Sequence, residues 1–206
     1  MFKALSQKLA TALVLGAITT AAAQAQTTVQ YSTLYSFTGT NYSALATKLF
    51  GTGTSSVLLS FLGQTPTTVT APSFIDYGVV QAVGAGSASM FNGQQIYLEI
   101  VQTLPTTGMA TVVGSISGAI SMNSSGAIIN WNQPSRFATI GAETYELERL
   151  SNGQTSINAP TSGPQTIRGY VTAASTVPEP STWALMGTGL VSLAGVAARR
   201  RRTTTA

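Results

Sequence analysis

Cysteine and histidine are both absent from the 206 residues, and only 8% of them are Asp, Glu, Lys or Arg. Without cysteine there is no disulfide and no thiol chemistry. Without histidine the commonest general base and the commonest transition-metal ligand are missing together, so no ordinary Ser-His-Asp triad can form. The serines also lack a Gly-x-Ser-x-Gly elbow, and Ser-Lys catalysis would depend on Lys48, the one lysine outside the N-terminal segment. These absences predict a chain that is not an enzyme, with no catalytic residue, no metal and no cofactor.

Charge is scarce where a folded domain would need it. Six of the ten basic residues lie at the two ends, as Lys3, Lys8 and Arg199 to Arg202. Between Thr27 and Val177 there are four basic residues (Lys48, Arg136, Arg149, Arg168) and five acidic ones (Asp76, Glu99, Glu143, Glu146, Glu148), a net charge of −1. The overall charge of +4 therefore belongs to the ends and gives no basic face for nucleic acid.

The N-terminal end has the plan of a signal peptide over residues 1–25. Lys3 and Lys8 precede an apolar run from Leu9 to Ile18 that is too short for a stable membrane anchor. Ala23 and Ala25 place small side chains at the −3 and −1 positions, so signal peptidase is expected to cut before Gln26. The segment predicts a helix during export through the inner membrane.

The opposite end repeats that plan in reverse. Pro178, Glu179 and Pro180 precede an uncharged stretch of 18 residues, Ser181 to Ala198, and then four arginines, Arg199 to Arg202. As a helix the stretch is about 27 Å long, close to the ~30 Å hydrocarbon core, and predicts a transmembrane helix over 181–198. Trp183 suits the outer interface. Each arginine costs about 2.5–3.5 kcal/mol at the bilayer centre, so Arg199, Arg200, Arg201 and Arg202 stop the span and hold this end in the cytoplasm. The two prolines push Val177 and Glu179 towards extended backbone, the shape in which a peptidase takes a substrate.

In that order, the Pro-Glu-Pro triplet, the apolar span and the arginine cluster over 177–206 resemble the PEP-CTERM sorting signal. The resemblance implies recognition of Pro178, Glu179 and Pro180 by exosortase, a membrane transpeptidase of Gram-negative bacteria, with cleavage nearby. It further implies transient anchoring in the inner membrane, then residence at the cell surface or in the extracellular matrix. Exopolysaccharide is an expected partner. Residues 136–174 are also similar, loosely, to the closing strands of β-rich ectodomains that carry such tails.

Between the ends, residues 26–176 have the length of one domain, able to bury roughly two thirds of its unfolded surface. The pattern is strand-like. Val29, Tyr31, Thr33, Tyr35 and Phe37 alternate with polar neighbours. Further strands are expected over residues 56–62, 73–81, 95–103, 111–122, 127–131, 144–150 and 165–171, separated by Gly- and Asn-rich turns. Asn92-Gly93 and Asn152-Gly153 are the pairs best suited to hairpin turns, and Ser43 to Phe50 alone hints at a helix. The fold class is all-β: an antiparallel β-sandwich ectodomain flanked by the signal helix and the transmembrane helix.

Two function classes follow. The first is a non-enzymatic surface or matrix protein with a structural or adhesive role in a biofilm or exopolysaccharide layer. The second is a carbohydrate-binding or carbohydrate-active ectodomain using the Glu143–Glu148 cluster, or a pair such as Asp76 and Glu146, or Glu99, beside aromatic rings. Strand alternation would put Glu146 and Glu148 on one face, with Glu143 on the other or in the preceding turn. Trp131, Tyr77, Tyr97, Tyr145 and Tyr170 could stack on sugar rings if exposed, or fill the core.

Overall fold

The computed structural model describes residues 26–84, 86–174 and 187–189. Residues 1–25 and the sorting segment, apart from a helical Gly187–Gly189, lie outside this set, and with them the expected signal and transmembrane helices. No helix among the described residues is long and apolar enough to cross a membrane. Gln26–Ala174 form a compact unit of strands.

In chain order the strands are β1 (Thr27–Ser36), β2 (Leu45–Phe50), β3 (Val57–Gly63), β4 (Thr67–Ala71), β5 (Ser73–Gly84) and β6 (Ser89–Leu104). They continue with β7 (Gly108–Ile120), β8 (Ile128–Gln133), β9 (Phe137–Ile140), β10 (Glu143–Leu147), β11 (Gln154–Ser156) and β12 (Gln165–Ala173). They build two antiparallel six-stranded sheets, ordered β11-β8-β7-β6-β1-β4 and β2-β3-β5-β12-β10-β9. The expectation of an all-β, antiparallel domain holds.

Alternation decides which side chains go inward. In β1, Val29, Tyr31, Thr33 and Tyr35 are buried while Thr28, Gln30, Ser32 and Leu34 face outward. Inward residues of both sheets meet in one core, with Tyr31, Leu98 and Trp131 from the first and Phe61, Tyr77 and Leu147 from the second. β12 pairs Arg168 with Asp76 and Ile167 with Gly78, so Tyr77 is an extra, bulged residue of β5. Its carbonyl accepts hydrogen bonds across the core from the Thr33 hydroxyl at 2.5 Å and the Tyr35 hydroxyl at 3.1 Å. Opposite the Tyr77 ring, Gly169 has no side chain. A Cβ there would lie 2.2 Å from Tyr77 Cε2 and 2.4 Å from the Glu146 carbonyl.

Four local expectations are corrected. Ser43 to Phe50 does not form a helix: residues 45–50 are β2, paired along its length with β3. Ala46 and Phe50 turn inward and Leu45, Thr47 and Leu49 outward, so sheet pairing overrides a weak helical period. Asn92-Gly93 does not turn the chain. Gly93, at φ +72°, makes a bulge inside β6, where the register against β7 shifts. Asn152-Gly153 does turn, with φ of +52° and +79°, but it passes the chain from one sheet to the other and closes no hairpin. The strand expected over 144–150 ends at Leu147, because Glu148 takes a left-handed backbone, φ +45° and ψ +50°.

Candidate functional site

Each carboxylate weighed in the sequence has a distinct setting. Glu143, Tyr145 and Leu147 face inward from β10, and Thr144 and Glu146 face outward. Buried Glu143 accepts a hydrogen bond from Gln102 Nε2 at 3.0 Å, and Gln102 Oε1 accepts from the Tyr145 hydroxyl at 2.5 Å. Burial, and then the neighbouring Glu143 charge, push the Tyr145 hydroxyl well above the usual phenol range.

Glu148 does not share a face with Glu146, contrary to simple strand alternation. Its left-handed turn aims the carboxylate back into the junction between the sheets. Oε1 accepts from the Thr155 hydroxyl at 2.8 Å and from the Arg168 amide at 3.0 Å, and Thr155 Oγ1 in turn accepts from Trp131 Nε1 at 2.9 Å. These bonds tie β12 to β11 and β8. Glu99 stands on the outer face of the first sheet, in register with Leu34 and Thr111. Among the described residues no group of three or more His, Cys, Asp or Glu is placed to hold a metal ion.

The aromatic candidates divide in the same way. Trp131, Tyr77 and Tyr145 are fully buried, whereas Tyr97 and Tyr170 are partly exposed.

The outer face of the second sheet gathers what remains. Register aligns Phe74 with Tyr170, Tyr170 with Glu146, and Glu146 with Phe137, a row across β5, β12, β10 and β9. The rings of Phe74 and Tyr170 meet edge to face, centroids 4.9 Å apart. Arg149 lies 4.4 Å over the Tyr170 ring and Arg136 lies 5.2 Å over Phe137. Both cations are held by Glu146: Arg136 donates to Oε1 at 3.0 and 3.2 Å, and Arg149 stands 3.7 Å from Oε2. Asp76 and Arg168 lie opposite one another in the next row, 3.9 Å apart and well exposed.

Beside that row, Phe74, Ile75, Asp76, Leu150 and Arg168 line a depression of about 390 Å³. Six of the eleven exposed large apolar residues described belong to this same face: Leu45, Leu49, Leu62, Phe74, Val83 and Phe137. The outer face of the first sheet carries mainly Thr28, Ser32, Thr70, Thr111, Ser115 and Ser117, with exposed Met90 and Met109 among them. Sequence reasoning missed Phe74, Phe137 and Leu150, because strand register alone brings them beside Tyr170 and the arginines.

Pro178, Glu179, Pro180, Arg199 to Arg202, Ala23 and Ala25 fall outside the described residues. For the tail the comparison with known families is decisive: residues 176–202 match the PEP-CTERM protein-sorting motif. No curated protein and no solved structure matches the chain. The motif implies export, membrane-associated sorting in a Gram-negative bacterium, and an exosortase as processing partner.

Proposed function

We propose that this exosortase-targeted surface protein is a structural or adhesive component of a biofilm or exopolysaccharide layer, and that it has no catalytic activity of its own. The sorting motif over 176–202 is the observation that carries the reading. Residues 181–198 anchor the precursor in the inner membrane with the arginines inside, and the domain is then released to the surface or matrix as a β-sandwich.

The non-catalytic part rests on the carboxylates. A glycosidase needs two carboxyl groups facing one another across a sugar-sized gap, about 5–9.5 Å wide. On β10, Glu143 points into the core and Glu146 out of it, and Glu148 is turned into the sheet junction. Glu143 and Glu148 each accept hydrogen bonds from buried partners that a substrate would have to displace.

Fractionation of producing cells tests the role. The mature chain is expected in the extracellular matrix or on the cell surface, and its deletion is expected to weaken cohesion of the biofilm. Recovery in the periplasm alone, with cohesion unchanged on deletion, would refute it.

A further inference from the structure

We propose that the depression between Phe74 and Leu150, with the Tyr170–Arg149 stack at its side, binds an acidic polysaccharide whose sugar rings carry carboxylates. This deepens the matrix-protein reading and rests on it for the compartment in which such a polymer is met.

The apolar part of the site is exposed and held in place. Phe74 is 60% exposed and Leu150 83%, and no residue of the core uses either. Tyr170 buttresses Phe74 from the neighbouring strand, so the ring does not need to be ordered on binding. A sugar ring presents an apolar C–H face of the kind that packs on aromatic and aliphatic side chains, while its hydroxyls remain in water.

The charges select the acidic class. All three arginines of the described domain, Arg136, Arg149 and Arg168, lie on this face or its rim. Against them stand Asp76 and Glu146, which leaves the face at +1 in a domain whose net charge is −1. Arg168 is the free end of that set: its side chain is 74% exposed and Asp76 engages it only at 3.9 Å. A guanidinium has five donors in a planar fork, so most of those on Arg168 remain for a carboxylate in the depression. Arg149, fixed over Tyr170 and beside Glu146, supplies a second cation above β12, two residues along that strand from Arg168. A neutral glycan would use the rings and accept hydrogen bonds from the arginines, but only a carboxylate makes the stronger, charge-assisted pair with them. Single-stranded nucleic acid would also stack and pair with cations, and it enters the test as a separate arm.

The test titrates the full chain, purified in detergent, with oligomers of two polyuronates, polygalacturonate and alginate, by calorimetry. Methyl-esterified polygalacturonate supplies the same rings without charge, and oligothymidylate supplies the nucleic-acid arm. Binding of at least one polyuronate is expected, with the ester weaker by about tenfold or more. Phe74→Ala and Arg168→Gln are each expected to weaken it about tenfold. The exposed Arg168→Gln leaves the thermal midpoint in place, and Phe74→Ala lowers it by only a few degrees through the lost contact with Tyr170, with the fold retained. Absence of binding, equal binding of the ester, unaffected variants, or tighter binding of oligothymidylate would each overturn the proposal. A chain found in the matrix that fails this titration sinks the binding site alone. A chain that binds yet stays in the periplasm sinks the matrix role alone.

Discussion

The hydroxyl of Thr155 on β11 donates to Glu148 Oε1 at 2.8 Å, and this short contact joins the edge of one sheet to the end of the other. The same oxygen receives the Arg168 amide, and the same hydroxyl receives the Trp131 indole proton. One carboxylate oxygen thus completes a chain of three donors at a site that is almost wholly buried.

Removing that oxygen should therefore cost more than one bond. Glu148→Leu leaves the Thr155 hydroxyl and the Arg168 amide without their acceptor, and a loss of about 2–4 kcal/mol is expected in denaturant unfolding. Glu148→Gln, which keeps an acceptor oxygen, should lose clearly less. Equal losses for the two variants would show that the acceptor is not what matters.

Gly169 makes a second, independent prediction. A methyl group there meets Tyr77 and the Glu146 carbonyl at distances that no real Cβ tolerates, so Gly169→Ala is expected to destabilise by about 2–3 kcal/mol. Gly126 has nothing within 4 Å of the same atom, and Gly126→Ala should stay within about 0.5 kcal/mol of the parent. Thermal unfolding of the pair checks the contrast, and parity between them would contradict the packing described around Tyr77.

Alkaline pH should unfold the domain cooperatively. Burial raises the hydroxyls of Tyr31, Tyr35, Tyr77 and Tyr145, that of Tyr31 to about 12 and those of the other three well above the usual phenol range. Desolvation is the leading cause in each, with nearby carboxylates or tyrosines adding to it. A group whose folded pKa is raised binds its proton more tightly in the native state. Its stabilisation is complete below the unfolded value near 10 and is lost as pH rises through and beyond 12. Each linked tyrosine contributes a slope of up to about 1.4 kcal/mol per pH unit in that window. The part of the tyrosinate absorbance that belongs to these four should appear together with the loss of circular dichroism above pH ~10. Reversible ionisation of these four hydroxyls near pH 10 in a folded protein would refute the account.

How much of this was legible in the sequence depended on whether a feature is local. β1 announced itself because Val29, Tyr31, Thr33 and Tyr35 alternate with polar residues over ten positions. The sorting tail was legible for the same reason, since its three parts are consecutive. β4, β9 and β11 were missed: at five, four and three residues they are too short to show a period. Glu148 was misplaced because a left-handed residue outside glycine leaves no mark in a strand-like run. The Phe74–Tyr170 pair was invisible because its members come from β5 and β12, far apart in sequence, and only the register between those strands sets them side by side.

The central claim is that the tail over 176–202 is a processing signal. Its most direct test is the mass of the mature C-terminus, by peptide mass spectrometry on envelope and culture fractions of cells producing the parent chain or Glu179→Ala. The account predicts that the parent loses everything beyond the Pro178-Glu179-Pro180 region and that Glu179→Ala retains it. An intact tail ending at Ala206 in the membrane fraction of both would contradict it, and would leave a chain anchored by residues 181–198.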